Sequence, residues 1–247
     1  MQVQDERESG RHCAALPHAH GPNPPLPQSG RGDRRRYQAV LFDLLTGLLD
    51  SWSLWNEVAG NAETGRPWRA DYLRITYKTR GYRPYEDLVA EAAEASGLPR
   101  RLAAELAARY DTLQPWPEAN GVLIKLHNAG VPLGVVTNCS EVLGRRAAGR
   151  LAVPFRVIVT AERAGFYKPE PQPYEMALRE IGVAAEQCLF VAGSAYDLFG
   201  TARVGLPTWW HDRIGMVPPS DAPTPLARHR SLDPLPAAVL GAAPERS

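Results

Sequence analysis

Five polar side chains of this chain follow segments that resemble buried strands, and together they could carry out covalent catalysis. They are Asp43, Thr137, Asn138, Lys168 and Asp197. An aspartate directly after an apolar strand is costly to bury unless it has a partner or a chemical role. A carboxylate, two small polar groups, a cation and a second carboxylate are the components of a nucleophilic site. These residue types predict covalent catalysis if the fold brings them together.

The elements that would position these side chains alternate along the chain as strands and helices. The predicted strands are 38–43, 131–137, 156–160, 188–192 and 207–210, and the predicted helices are 118–129, 141–151, 173–181 and 197–204. All strands but the third are continuous apolar runs, as in a parallel sheet that is covered on both faces. The carboxyl ends of such strands converge on one crevice, so the five side chains should meet there.

The domain organisation follows from where this alternation is interrupted. Residues 52–115 are helical in pattern throughout and predict a helical insert after the first strand. The core domain would then comprise residues 37–51 and 116–216. Residues 1–36 contain too few apolar side chains to offset the entropy of ordering and predict a disordered tail. The Pro-rich segment 217–247 is expected to run over the surface, with residues 237–240 as a last contact.

Composition excludes several classes of function. A net charge of +1 gives no electrostatic footprint for nucleic acid or for an anionic membrane. No apolar run approaches the roughly 18 residues of a membrane helix. The three cysteines are far apart and have no zinc-type spacing, so neither a disulfide framework nor a metal site is expected. We therefore expect a cytoplasmic protein with a small-molecule substrate, no nucleic-acid partner and no membrane partner.

The ordered set of Asp43, Thr137, Lys168-Pro169 and Asp197 resembles the four signature motifs of the haloacid dehalogenase superfamily. The resemblance covers about residues 37–215, most of the chain between the two ends. It implies an α/β fold, namely a Rossmann-like doubly wound parallel sheet with a helical cap inserted after the first strand. It also suggests a homodimer.

Two departures from the phosphatases of this superfamily indicate the branch. Phosphatases have a second aspartate two residues after the first, where this chain has Leu45. They also have a metal-binding aspartate in the fourth motif, where this chain has Gly193. Mg²⁺ needs several hard oxygen ligands, and phosphoryl transfer needs the metal against its developing charge. Halide leaves without protonation, so both losses fit dehalogenation without a metal or another cofactor.

Further motifs resemble the 2-haloacid dehalogenases. Their fourth motif, Ser-Ser-Asn-Ala-Trp-Asp, corresponds to Ala192-Gly193-Ser194-Ala195-Tyr196-Asp197. Their cap arginine follows a tryptophan, as Arg69 follows Trp68, and their Asn-Arg-x-Gly run is similar to Asp212-Arg213-Ile214-Gly215. Their first motif is Asp-x-Tyr-Gly-Thr, whereas this chain has Leu45 in place of Tyr and carries its hydroxyl one place early, at Thr46.

The resemblance implies a role for each candidate residue. Asp43 would attack the carbon that bears the halide, Lys168 would keep Asp43 ionised, and Asp197 would position Lys168 and the water. Arg69 would bind the substrate carboxylate or the halide, and Thr137 would stabilise the oxyanion. The expected substrate and halide contacts also include Leu45, Asn138, Ser194 and Tyr196, and the expected apolar wall consists of Leu45, Trp52, Trp55 and Trp210.

Other interpretations remain open at this stage. Asp197 and Asn138 could simply cap the helices that follow them, and most cap arginines face solvent. His127 and His211 lack a third group that would suggest a histidine-activated nucleophile. The alternative functions are a metal-free hydrolase of another small carboxylate, a phosphatase, and a binding module that has lost catalysis.

Overall fold

The computed structural model describes residues 35–241, which form a six-stranded parallel sheet with helices on both faces. The strands are β1 (Ala39–Asp43), β2 (Leu133–Thr137), β3 (Val157–Thr160), β4 (Cys188–Ala192), β5 (Thr208–His211) and β6 (Ala227–His229). Their order in the sheet is β3-β2-β1-β4-β5-β6, and all five pairings are parallel. The predicted α/β, Rossmann-like doubly wound architecture is confirmed.

Ten α-helices lie within the described residues. They are α1 (Ser51–Val58), α2 (Ala62–Lys78), α3 (Tyr85–Ala95), α4 (Leu102–Ala108), α5 (Ala119–Asn128), α6 (Glu141–Ala148), α7 (Ala161–Ala164), α8 (Pro171–Ile181), α9 (Asp197–Arg203) and α10 (Leu235–Leu240). Helices α1 to α4 occupy the chain between β1 and α5, where the sequence predicts a helical insert. We call residues 51–112 the cap segment.

Strand β1 lies at the switch point of the sheet, between β2 and β4. All five of its residues are buried, because helices cover both faces. Side chains alternate across a strand, so Val40 and Phe42 join the hydrophobic core on one face and Ala39 and Leu41 join the core on the other. In open α/β sheets ligands bind beyond the carboxyl ends of the strands at such a point, and Asp43 is the last residue of β1.

The predicted elements differ from the observed ones at a few places. Strand β4 has the predicted bounds, β1, β2 and β3 begin one or two residues later than predicted, and β5 is shifted by one residue at both ends. Helix α8 begins two residues earlier than predicted, at Pro171, because proline fits the first helical position. The short helix α7, capped by the Thr160 hydroxyl, was not predicted.

The C-terminal segment does more than run over the surface. Residues 227–229 extend the sheet as β6, a strand that the sequence does not predict. Arg228 on this strand donates to the buried Asp212 carboxylate at 2.6 and 3.0 Å. Helix α10 brings the carbonyl of Val239 to the amides of Arg36 and Tyr37, at 2.9 and 3.2 Å, so the two ends of the described chain meet. The predicted tail lies outside the described residues as far as position 34, and so do residues 242–247.

No helix among the described residues is long and apolar enough to cross a membrane.

Candidate active site

Asp43 is buried at the end of β1 and is held by a turn of its own chain. One carboxylate oxygen, Oδ2, accepts hydrogen bonds from the amides of Thr46 and Gly47, both at 3.0 Å. The Thr46 hydroxyl also donates to Oδ2. The other oxygen, Oδ1, accepts from the ammonium of Lys168 at 2.7 Å. Four donors therefore fix the position of this carboxylate.

Lys168 joins Asp43 to a second buried carboxylate. Its Nζ lies 2.9 Å from Oδ1 of Asp197, which also accepts from the Tyr174 hydroxyl at 2.8 Å. Asp43, Lys168 and Asp197 are only 6%, 7% and 3% exposed. The three residues thus form a desolvated carboxylate–ammonium–carboxylate chain, as the convergence of the strand ends predicts. Tyr174 belongs to it as well, and sequence reasoning missed this residue because one tyrosine on a helix carries no distinguishing pattern.

The surroundings of the two carboxylates separate their pKa values. Burial raises the pKa of Asp43, but the Lys168 ammonium and the Thr46 donors outweigh it, so the pKa lies below its ordinary value. The pKa of Asp197 is raised, because burial and the nearby Asp43 charge outweigh the effects of Lys168 and Tyr174. Burial lowers the pKa of Lys168, but the two carboxylates outweigh it and the net shift is upward. At neutral pH, Asp43 is the ionised partner of a charged lysine.

Asn138 supports Lys168 through its backbone. Its Oδ1 accepts from the Lys168 amide at 2.7 Å, and its Nδ2 donates to the Lys168 carbonyl at 3.1 Å. The carbonyl of Asn138 accepts from the Tyr72 hydroxyl of helix α2 at 2.9 Å. Thr137 is fully buried, and its hydroxyl lies 3.4 Å from the sulfur of Cys139. Asn138 and Thr137 both line the cavity in front of Asp43, but the Asn138 amide already holds the loop that carries the lysine.

Arg69 enters from the cap segment and is buried, with 4% of its surface exposed. Its guanidinium carbon lies 4.3 Å from the ring centre of Trp52 and 5.3 Å from that of Trp55. Its Nε and Nη1 are buried and have no hydrogen-bond partner among the described residues. Burial lowers the pKa of Arg69, against the opposing effect of nearby tyrosines and Asp43. A buried cation with two unused donors fits a site for an anion.

A cavity of about 60 Å³ joins these groups. Core residues at its wall include Asp43, Leu45, Lys168, Ser194, Tyr196 and Asp197, and cap residues include Trp52, Arg69, Tyr72, Leu73, Thr76 and Tyr77. Tyr196 contacts Tyr77 across its mouth, with ring centres 5.3 Å apart. Ser194 accepts from the Tyr196 amide at 3.3 Å and so stabilises this loop. A cavity of this size admits a ligand of few heavy atoms.

Two of the expected wall residues do not line this cavity. Trp55 packs inside the cap segment against Trp68 and Tyr72, with ring centres 4.6 and 5.4 Å apart. Trp210 is buried in the core on the other face of the sheet, with Arg228 over its ring at 4.2 Å. The expectation that they form the apolar wall is wrong, because a tryptophan in sequence shows no preference between core and cavity. Leu45 and Trp52 do line the cavity.

The Mg²⁺ used by phosphatases of the superfamily does not fit the residues present. A Cβ added at Gly193 would overlap the Gly47 amide nitrogen and the Thr46 hydroxyl, so an aspartate at this position has no space. Leu45 supplies no second acid, and Asp43 and Asp197 already share the Lys168 ammonium. Among residues 35–241, no group of three or more His, Cys, Asp or Glu side chains could hold a metal ion. The donor set does not provide a magnesium site.

Comparison with known proteins identifies a matching family model and several similar proteins. The family model of haloacid dehalogenase-like hydrolases matches residues 37–205. Haloacetate dehalogenase H-2 of Moraxella sp. (strain B) is 29% identical over 117 residues, which are 47% of this chain and only 52% of that protein. (S)-2-haloacid dehalogenase H-109 of Pseudomonas putida is 24% identical over 79% of this chain and 94% of its own.

Solved structures agree with the sequence comparison. The crystal structure of an L-2-haloacid dehalogenase matches with a TM-score of 0.72 and 27% identity, covering 81% of this chain and 97% of that chain. Glyceraldehyde 3-phosphate phosphatases are also among the curated relatives. The chain is therefore similar to enzymes of both kinds, and the side chains around Asp43 have to distinguish between the two activities.

Proposed function

Since this chain belongs to the haloacid dehalogenase-like hydrolases, we propose that it is a metal-independent dehalogenase that acts on short 2-haloacids through a covalent ester on Asp43. Its named dehalogenase relatives support the reaction class. The residues around the cavity support the substrate class.

The observation that carries this proposal is the buried guanidinium of Arg69. Its Nε and Nη1 have no hydrogen-bond partner within residues 35–241, and the side chain lines the same cavity as Asp43. A guanidinium donates charge-assisted hydrogen bonds to a carboxylate or to a halide. With Arg69 on the anion, Asp43 would face the adjacent carbon of a small acid. The cavity volume of about 60 Å³ favours short acids over long or branched ones.

In the first step, a carboxylate oxygen of Asp43 attacks the carbon that bears the halogen, the carbon–halogen bond breaks, and halide leaves with the bonding electrons. The pKa of Asp43 is low because the Lys168 ammonium and the Thr46 donors outweigh burial, so the nucleophile is ionised at neutral pH. Halide needs no proton, which agrees with Leu45 at the position of the phosphatase acid. Arg69 and Tyr196 would contact the departing anion.

In the second step, water attacks the carbonyl carbon of the Asp43 ester. The raised pKa of Asp197, which results mainly from burial, makes this carboxylate the stronger base of the two. Its Oδ2 has no hydrogen-bond partner among the described residues, so this oxygen would accept the proton from the attacking water. The amides of Thr46 and Gly47 would stabilise the oxyanion. The acyl–oxygen bond then breaks, the proton on Asp197 passes to the leaving alkoxide, and the 2-hydroxyacid is released. Asp43 loses the second proton of the water to solvent and is regenerated as the carboxylate.

The alternatives differ in what they require. A phosphatase needs the metal-binding acid for which Gly193 leaves no space. A binding module has no use for a buried Asp43–Lys168–Asp197 chain, whose desolvation is costly. A hydrolase of another small carboxylate would use the same residues, and a substrate panel separates it. Halide release from 2-chloro- and 2-bromoacids, measured beside phosphate release from phosphate esters, should give halide alone; phosphate release would contradict the proposal.

The covalent mechanism has a separate test. In a single turnover with excess enzyme in ¹⁸O water, the hydroxyacid should be unlabelled, because its new oxygen comes from Asp43. Mass spectrometry of the Asp43 peptide should then show the label, and Asp43→Asn should abolish turnover. A labelled first-turnover product would mean that water attacks the substrate carbon directly, which contradicts the ester.

A further inference from the structure

The turn that holds Asp43 is itself held by two side chains that do not line the cavity in front of Asp43. The amide of Gly47 donates to Asp43, and it shares a peptide plane with the carbonyl of Thr46. This carbonyl accepts from the indole Nε1 of Trp116 at 2.9 Å. Because a peptide unit is planar, fixing the direction of the carbonyl also fixes the direction of its N–H. Trp116 thereby directs the Gly47 amide at the carboxylate.

His211 holds the next carbonyl of the same turn. Its Nδ1 lies 2.8 Å from the oxygen of Gly47, and because a carbonyl can only accept, Nδ1 carries a proton. The imidazole is fully buried at the end of β5 and packs edge-on against Trp116, with ring centres 6.3 Å apart. On its other side, Nε2 lies 3.6 Å from a carboxylate oxygen of Glu118, which also accepts from Arg213 at 3.2 Å.

Neither residue lines the cavity that holds Asp43 and Arg69. Trp116 instead lines a different cavity, of about 530 Å³, together with Asn56, Arg66, Arg213 and Met216. A substitution at Trp116 or His211 therefore removes no side chain that lines the cavity in front of Asp43. Trp52 lines both cavities and packs against Arg69, so an effect through Trp52 would change KM, and the measurement of KM separates that route from an effect through the turn.

We propose that Trp116 and His211 are positioning residues for the Asp43 nucleophile, acting through the carbonyl oxygens of Thr46 and Gly47. The measurement of kcat for this inference rests on the proposed function, whereas the measurement of the Asp43 pKa does not. Loss of the Trp116 donor frees the peptide plane that carries the Gly47 amide, and loss of the His211 donor frees the next peptide plane. In either variant the turn can rotate about Gly47, so the Gly47 amide no longer points at Asp43. Attack then starts from a less ordered carboxylate, while the contact of the substrate with Arg69 is unchanged.

Trp116→Phe tests the proposal, because it removes the indole N–H and keeps an aromatic ring under Arg213. Trp209→Phe is the matched control: Trp116 and Trp209 are 8% and 6% exposed, and the Trp209 N–H has no partner among the described residues. We expect kcat to fall about 10- to 100-fold in Trp116→Phe, as for a small misplacement of reacting groups, while KM stays nearly unchanged. In Trp209→Phe, both kcat and KM should stay nearly unchanged. Equal kcat values in the two variants would overturn the proposal.

His211 allows a rescue experiment that a merely structural role would fail. In His211→Asn the amide nitrogen can take the place of Nδ1 and donate to Gly47, whereas His211→Leu fills space without a donor. We expect the Leu variant to lose kcat and the Asn variant to retain most of it. If both lose activity equally, or if the Leu variant is fully active, the donor to Gly47 has no positioning role.

A measurement without substrate separates failure of this inference from failure of the proposed function. The ionisation of Asp43 can be followed by ¹³C NMR of labelled aspartate carboxyls, with Asp43→Asn to assign the signal. Loss of the Gly47 donor should raise the pKa of Asp43 in Trp116→Phe and His211→Leu, but not in Trp209→Phe or His211→Asn. An unchanged pKa in all variants would refute the positioning role, even in an enzyme that releases halide. A shifted pKa in a protein that releases no halide would refute the function alone.

Discussion

Replacing Arg69 with methionine should lower activity and raise stability at the same time. Methionine retains most of the apolar volume between Trp52 and Trp55 but removes the charge. A residue that serves only the structure would show the opposite effect on stability. The combination of the two effects therefore tests whether the cation is present for a ligand.

The size of the stability change follows from the contacts of the side chain. Each buried donor without a partner costs about 1–3 kcal/mol, and Arg69 has two. The cation–π contacts of Arg69 with two tryptophans stabilise the folded state by about 0.5–2 kcal/mol each. The difference predicts that the free energy of unfolding rises by about 1–2 kcal/mol in Arg69→Met, or several degrees in Tm for a chain of this size.

The activity change follows from the lost anion contact. A charge-assisted pair of hydrogen bonds to the substrate carboxylate contributes about 2–4 kcal/mol, so kcat/KM should fall about 30- to 1,000-fold. Halide release with 2-haloacids measures this loss. Thermal unfolding with and without the 2-hydroxyacid product should show that this ligand stabilises the wild-type enzyme and not the variant.

Arg66→Met is the matched control, because Arg66 lies on the same helix, is exposed, and does not line the cavity in front of Asp43. It should leave both quantities nearly unchanged. An Arg69→Met enzyme that is less stable than wild type and equally active would refute the reasoning. In that case the guanidinium would serve packing, and the anion would bind elsewhere.

Three further predictions concern the metal, the buried lysine and the cysteines. Activity should survive EDTA and gain nothing from Mg²⁺. Gly193→Asp should unfold at lower temperature without gaining phosphatase activity, because its Cβ would overlap the Thr46–Gly47 turn. Phosphate release stimulated by Mg²⁺ would contradict this prediction. Lys168→Met leaves two buried carboxylates without their cation, so it should lose about 3–5 kcal/mol of stability. Without the lysine, the pKa of a buried carboxyl is raised above its ordinary value, so the folded state binds more protons than the unfolded state. The Tm of this variant should therefore increase as the pH is lowered from 8 to about 5. A Tm that decreases as the pH is lowered would refute the assignment. Burial raises the pKa of the Cys139 and Cys188 thiols to about 12. Iodoacetamide at pH 8 should therefore neither modify these thiols in the folded enzyme nor inactivate the enzyme. Alkylation of Cys139 in the folded state would contradict this prediction and would show that the site opens.

The fold could be predicted from sequence where the signal is local. Continuous apolar runs predict four of the five strands from β1 to β5, the alternation of strands and helices adds β3, and the wholly helical stretch after β1 predicts the cap segment. Strand β6 could not be predicted in this way. Its three residues, Ala227, Arg228 and His229, do not form an apolar run. They form a strand because they pair with β5 and because Arg228 reaches the buried Asp212.

The site could be predicted as a set of residues but not as a network. The convergence of strand ends brings Asp43, Lys168 and Asp197 together without any further information. The orientation of the Asn138 amide, in contrast, depends on a loop distant in sequence, and no local pattern shows that it bonds the Lys168 backbone. The early hydroxyl at Thr46 is visible in the sequence. That it fits only because Gly193 has no side chain is visible only in the structure.

The contact of Arg36 and Tyr37 with Val239 has a consequence for the connectivity of the chain. These residues precede β1, at the edge of the sheet opposite to Asp43, so the two ends of the described chain meet far from the cavity. A short peptide could join them, and the chain could be opened instead at the exposed Pro99–Arg100 turn between α3 and α4. Such a circular permutant would preserve every hydrogen bond of Asp43 while changing the order in which the sheet and the cap segment leave the ribosome. Tolerance of circular permutation is common where chain ends lie together at the surface, and here it would separate the order of synthesis from the assembly of the site.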